Sequence, residues 1–184
     1  MPLPEQASPE RVPVLGTERL ILRGHTAEDY KHTLALWGDA RVTLHISGRP
    51  STPRESWARL LNYVGHWALM GFGYWVVEER ESGRFLGEVG MAEFKRDITP
   101  GFDGAPEAGW VLAPAAHGKG YATEAMRAVF AWAEQARGPE RYVCIVDPKN
   151  TASIKVAEKC GFTLWTETDY MGGPAILMER PPKT

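Results

Sequence analysis

Two glycines, Gly118 and Gly120, separate an apolar run from an amphipathic one in Leu112-Ala113-Pro114-Ala115-Ala116-His117-Gly118-Lys119-Gly120-Tyr121-Ala122-Thr123-Glu124-Ala125. Residues of this kind at this spacing can bind an anion. Glycine has no Cβ to hold a ligand away from the backbone. A helix opening here leaves the N–H groups of its first turn without intrahelical acceptors, and the positive end of its dipole strengthens their pull on a negative group. The stretch therefore predicts a pyrophosphate-bearing ligand on Gly118, Lys119, Gly120, Tyr121, Ala122 and Thr123. A tight turn before a helix would use the same glycines, so the loop alone leaves both readings open. It is not a Walker A loop, because no Gly-Lys-Ser/Thr follows four spacer residues. Thr123 stands where a G-x-G-x-x-G loop has its third glycine.

Other chemistry is sparse. The two cysteines, Cys144 and Cys160, cannot build a disulfide framework and are expected to be reduced. Neither has a Cys or His partner at metal-ligand spacing, and the five histidines are scattered, so no metal is expected.

The elements that must position the loop follow from periodicity. Residues 1–16 read as a loose tail, and residues 17–184 as one domain. Residues 17–23 alternate as a strand. Thr26 and Asp29 open a helix through Tyr30, Leu34 and Trp37, and residues 39–51 have no period and read as a loop. Thr52-Pro53-Arg54-Glu55 is a capping box with proline at the first helical position. Trp57, Leu60, Leu61, Val64 and Trp67 form the apolar face of the helix that follows it. Residues 72–79 and 85–95 are two strands joined by hairpin turn chemistry at residues 81–84. Residues 97–106 are a loop and residues 107–112 a strand. Ala122, Ala125, Met126, Val129, Phe130 and Ala133 stripe the helix after the glycines. A buried strand over 141–146, a short helix over 153–160 and two strands over 163–170 and 175–180 complete the chain. Seven strands and four helices in this order imply an α/β chain with one mixed sheet and helices on its faces.

The composition narrows the function. With 184 residues and 43% hydrophobic content, the chain can bury one sizeable core. A net charge of −2 argues against a nucleic-acid footprint. No long uncharged apolar run spans a membrane, and residues 1–13 lack the apolar core of a signal peptide, so a cytoplasmic protein is expected.

Four pieces, in this order and at these separations, carry a resemblance: T-E-R-L-I-L-R (residues 17–23), F-L-G-E-V-G (85–90), E-A-G-W-V-L followed by H-G-K-G-Y-A-T-E-A (107–112 and 117–125), and N-T-A-S-I-K-V-A-E-K-C-G-F (150–162). Together they resemble the GNAT superfamily of N-acetyltransferases, in the RimJ/RimL-like branch that acetylates N-terminal amines. The resemblance implies the GNAT acyl-CoA N-acyltransferase fold, a mixed, mostly antiparallel seven-stranded sheet with about four helices. It implies acetyl-CoA as co-substrate, a primary amine as acceptor (a protein N-terminus or a small molecule), and a monomer or homodimer. In this family the glycine loop reads [Q/R]-x-x-G-x-[G/A] and binds pyrophosphate. His117 here replaces the usual Gln or Arg. The strand ending Trp110, Val111, Leu112 would pair with the pantetheine arm like an added strand, and would splay from residues 141–146 to admit the thioester.

The same resemblance implies site residues. Asn150 matches an asparagine that contacts the cofactor arm in relatives, while its other reading is a helix N-cap. The tyrosine that many members carry seven residues later, as acid for the departing thiolate, is Ala157 here. Ser153 lies one helical turn before it, where RimL-like relatives place a serine, and is the candidate hydrogen-bond donor to the sulfur; a cap is the alternative. Glu107 is the first candidate to accept the amine proton and Glu88 the second. A backbone N–H near Leu112 would hold the oxyanion. The acceptor is expected against residues 37–49 and the helix from Pro53, with residues 97–106 closing over it and His45 and Arg49 reading an acidic group. A module that binds acetyl-CoA without turning it over is the alternative function.

Overall fold

The computed structural model describes residues 12–182. Eight strands form one sheet, in the order β1-β2-β3-β4-β5-β6-β8-β7. They are β1 (Leu15–Gly16), β2 (Leu20–Arg23), β3 (Tyr74–Glu79), β4 (Phe85–Ala92), β5 (Glu107–Leu112), β6 (Tyr142–Val146), β7 (Thr163–Tyr170) and β8 (Gly173–Arg180). Among the described residues five α-helices accompany them: α1 (Tyr30–Trp37), α2 (Ala40–Thr43), α3 (Pro53–Met70), α4 (Tyr121–Arg137) and α5 (Thr151–Lys159). Every strand pairing is antiparallel except β5 with β6.

The eighth strand and the fifth helix exceed the expected count for local reasons. Of the tail expected over residues 1–16, residues 1–11 lie outside the described residues. Leu15 and Gly16 pair with Leu22 and Ile21, and the Pro13 carbonyl accepts from Trp75 Nε1 at 2.8 Å. The added helix α2 lies in the stretch expected as loop. It is one short turn, capped by Asp39, whose side chain accepts the Arg41 N–H. Four residues are too few to leave a period in the sequence.

The main core lies between the sheet and α4. Leu20, Leu22, Trp75, Val77, Val89, Met91 and Ala108 meet Ala125, Met126, Val129, Phe130 and Ala133, so the predicted α4 stripe is the buried one. The α3 face differs from the expected one. Ser56, Leu60, Tyr63 and Trp67 are buried, whereas Trp57, Leu61 and Val64 are exposed. The buried set follows i, i+4, i+7, i+11, a true helical face whose polar members hid it from a search for apolar residues alone. Tyr63 earns burial by stacking on Tyr74, with ring centroids 4.5 Å apart. The capping box at the start of α3 forms as its spacing predicts: Glu55 N donates to Thr52 Oγ1 at 3.2 Å, and Thr52 N to Glu55 Oε2 at 2.7 Å.

Candidate active site

The β5–β6 junction opens. The two strands register at a single pair, Glu107 with Val143, supported by Val143 N donating to the Pro106 carbonyl at 3.1 Å. On its other edge β5 is paired with β4 from Glu107 to Leu112. Backbone groups alternate edges along a strand. Since Pro106 faces β6, residues of the same parity face it too, and Trp110 and Leu112 turn their amides into the gap. An extended ligand can add there as a further strand.

The glycine loop begins where that edge ends. The His117 side chain folds back so that Nε2 lies 2.8 Å from the Leu112 carbonyl, pinning the loop to the strand. Gly118 and Gly120 both adopt left-handed backbone, with φ of 73° and 80°, which a side chain would strain. Gly120 stands at the N-cap position of α4 with no side-chain cap, so the amides of the first turn are left for a ligand. The N-terminal motif holds this turn from outside. Thr17 Oγ1 and Arg19 N donate to Glu124 Oε1 at 2.6 and 3.0 Å, Arg19 Nε donates to Glu124 Oε2 at 2.7 Å, and Arg19 also reaches the Lys119 carbonyl. Tyr121 donates its hydroxyl to Glu79 at 2.9 Å. The loop is therefore clamped, with its amides directed by flanking contacts. Two left-handed glycines and an open strand edge leading to them fit the diphosphate and arm of a coenzyme A thioester.

Past the gap, β6 leads to α5. Asn150 Oδ1 accepts the Ser153 N–H at 3.1 Å, so Asn150 is the N-cap of α5 and its oxygen is engaged. Ser153 is half-buried in the first turn, and among the described residues none hydrogen-bonds to its hydroxyl. Cys144 lies inside the core, where burial pushes its thiol up, as expected of an inert cysteine.

The two candidate carboxylates are both committed. Glu107 is 7% exposed and takes Arg96 through both oxygens, Oε1 from Nη2 at 2.8 Å and Oε2 from Nε. Arg96 Nη1 also donates to Tyr170 at 2.8 Å. Burial works against the Arg96 charge, but the hydrogen bonds and charge of Glu107 outweigh it and keep the guanidinium protonated. Glu88 has no exposed surface. It accepts Thr33 Oγ1 at 2.7 Å and Trp37 Nε1 at 2.8 Å, and His25 Nε2 stands 3.5 Å away. Burial alone would raise its carboxyl, but these donors hold it below the usual range. Arg49, expected to read an acceptor, pairs with Glu55 at 2.6 Å instead. A cavity of about 180 Å³ lies at the Glu107 end, lined by Phe94, Arg96, Phe102 and Asp103 among others, so of residues 97–106 only the second half borders it. The loop docks on β7, where the Thr168 hydroxyl donates to the Thr99 carbonyl at 2.6 Å.

Comparison with known proteins agrees with this geometry. The family description "Acetyltransferase (GNAT) domain" matches residues 19–163. The uncharacterized protein YkkB of Bacillus subtilis (strain 168) is 34% identical over 171 residues, covering 90% of this chain and 94% of YkkB. A solved GnaT-family structure from Bordetella pertussis superposes with a TM-score of 0.81 at 32% identity, over 91% of this chain and 99% of that one. A structure of RimL, a ribosomal L7/L12 alpha-N-protein acetyltransferase, in complex with coenzyme A shares the fold with a TM-score of 0.75. Its identity is 17%, over 92% of this chain and 98% of that one. Among the described residues there is no group of His, Cys, Asp or Glu able to hold a metal, and no helix long and apolar enough to cross a membrane.

Proposed function

The chain belongs to the GNAT acetyltransferase family and is an acetyl-CoA-dependent acetyltransferase, and from that premise we propose that it moves the acetyl group to a primary amine by direct attack. The acceptor class we propose is a protein N-terminus or a small-molecule amine, in keeping with the RimJ/RimL-like branch. The observation that carries this reading is the β5 edge left open beyond Glu107, running through Trp110, Val111 and Leu112 into two left-handed glycines at the start of α4.

In this reading the amides of residues 118–123 take the diphosphate, and the free edge of β5 takes the amide-bearing arm. The bound thioester supplies an activated acetyl group and a good leaving group. The Trp110 and Leu112 amides on the open edge would hold the carbonyl oxygen as negative charge develops on it. Asn150 caps α5 and so sets the first turn from which Ser153 offers its hydroxyl to the sulfur. Glu107 holds Arg96 against Tyr170 and shapes the end of the gap; service as a free base would need that pair to open.

Free-thiol release from acetyl-CoA, screened across peptide N-termini, polyamines, amino acids and aminoglycosides, tests the reading. Turnover with at least one amine is the expected result. Binding of acetyl-CoA with no turnover across the panel would favour the non-catalytic module instead.

A further inference from the structure

The segment between α1 and α3 leaves at Trp37 and returns to it, the Ser51 N–H donating to the Trp37 carbonyl at 2.8 Å. Between those points it crosses the open end of the β5–β6 gap as a strap. On one lip, Val42 of α2 packs with Leu36 and Trp37 against Val111 and Ala113. On the other, His45 Nδ1 lies 2.7 Å from Asp147 Oδ2, one residue beyond β6. Val111 and Asp147 each lie four positions past the Glu107–Val143 pair, so the strap is anchored on both lips at one level.

The His45–Asp147 pair has a definite polarity. Asp147 Oδ1 accepts the Lys149 N–H at 2.8 Å, and this bond together with that from His45 holds the carboxyl below the usual range. A carboxylate only accepts, so Nδ1 carries a proton, and in the neutral imidazole it is Nε2 that keeps its lone pair. Among the described residues nothing hydrogen-bonds to Nε2. The two side chains are 31% and 27% exposed, so that nitrogen is within reach of an entering molecule. The charged groups around it come from the turn after β6, Asp147 and Lys149. On the strap itself, Arg41 is held by Asp39 and Arg49 by Glu55. Glu88 and Glu107, as described, have their oxygens occupied.

We propose that His45 accepts the proton of the attacking amine, and that Asp147 is the positioning residue that fixes its tautomer. This rests on the amine-acetylation reading above. The acceptor enters as the neutral amine, its ammonium proton having gone to solvent. As its nitrogen bonds to the acetyl carbon, the C–S bond breaks and its electron pair stays on sulfur. The surplus N–H proton passes to His45 Nε2, and the Asp147 carboxylate lies beside the imidazolium that forms. The thiolate, hydrogen-bonded by Ser153, is protonated from water, and His45 returns its proton to solvent. The sum is amide plus free thiol.

Two measurements on the full chain test this. Nitrogen NMR of the imidazoles, followed upward in pH to the neutral ring, should show His45 with Nδ1 protonated and Nε2 bare, a preference that Asp147→Asn removes. With the best amine of the panel, His45→Gln should lower kcat by about 100-fold or more and leave the KM for acetyl-CoA within about threefold. It should also abolish the acidic limb of the kcat profile, which reports groups in the bound complex and not the ionisation of the free amine, while Asp147→Asn lowers kcat less and displaces that limb. A strap that merely closes the gap would instead raise KM alike in both variants and keep the limb. The proposal is overturned if Nε2 is the protonated nitrogen, if His45→Gln keeps kcat within about threefold, or if the acidic limb survives it. A wild-type chain that acetylates no amine sinks the underlying reading as well, and is told apart by failing before any variant is compared.

Discussion

At the scale of single residues, the site depends on which polar groups are free and which are occupied. Among the described residues none hydrogen-bonds to the hydroxyl of Ser153, in the first turn of α5. Ser153→Ala should therefore lower kcat by about 100-fold while leaving the KM for acetyl-CoA nearly unchanged, measured by steady-state thiol release. Glu88 is occupied, and its importance is to stability. Glu88→Gln removes the charge that accepts Thr33 and Trp37 and should cost about 2 kcal/mol. The pH dependence follows from its carboxyl, which the surrounding donors hold below the usual carboxylate range in the folded chain. A depressed carboxylate contributes stability above its unfolded value, and loses it as pH falls through the folded one. Melting between about pH 7 and pH 3 should show the wild type losing stability on the acid side, and the glutamine variant following a flatter course. The types and spacings of Gly118, Gly120 and Ser153 marked them in the sequence. Nothing local marked the occupation of Glu107 by Arg96, because that pairing depends on how residues 93–106 fold back over the start of β5.

Between elements, the resemblance rests on motifs that touch. Thr17 and Arg19 bond Glu124, so in the fold T-E-R-L clamps A-T-E-A. The loop they hold requires left-handed backbone at its second glycine. Gly120→Ala imposes a Cβ at φ of 80°, costs about 1–2 kcal/mol there, and should weaken coenzyme A binding by roughly tenfold in calorimetry. Most elements were legible from period and caps, α3 and α4 most clearly. The missed ones were short: β1 has two residues and α2 four, too few for a pattern to repeat. The α3 face was misassigned because polar Ser56 and Tyr63 lie on its buried side, Tyr63 against Tyr74 of β3, while Leu61 faces solvent.

For the whole molecule, the defining feature is a sheet whose described strands pair with their neighbours but part along the seam between β5 and β6. The seam has a glycine-bearing helix start at one lip, a capped helix at the other and a strap across its mouth. A ligand filling it joins the two halves of the sheet and binds only the folded chain. Coenzyme A at 100 times its dissociation constant should therefore add about 2.7 kcal/mol, and raise the melting temperature by roughly 5–10 °C, read by differential scanning fluorimetry. An unchanged melting temperature at that dose would count against the seam as its site.

What the sequence settled by itself was whatever depends on near neighbours along the chain: the helix caps, the α4 stripe, the glycine turn and the ordered motifs that place the chain among acetyltransferases. What only the tertiary structure decided was pairing at a distance. Arg96 takes up Glu107, donors from α1 surround Glu88, and His45 meets Asp147 across the mouth of the gap. The physical reason is that a side chain's chemistry is set by the groups that solvate it in place of water. Those groups arrive from elements whose spacing along the chain carries no record of their contact.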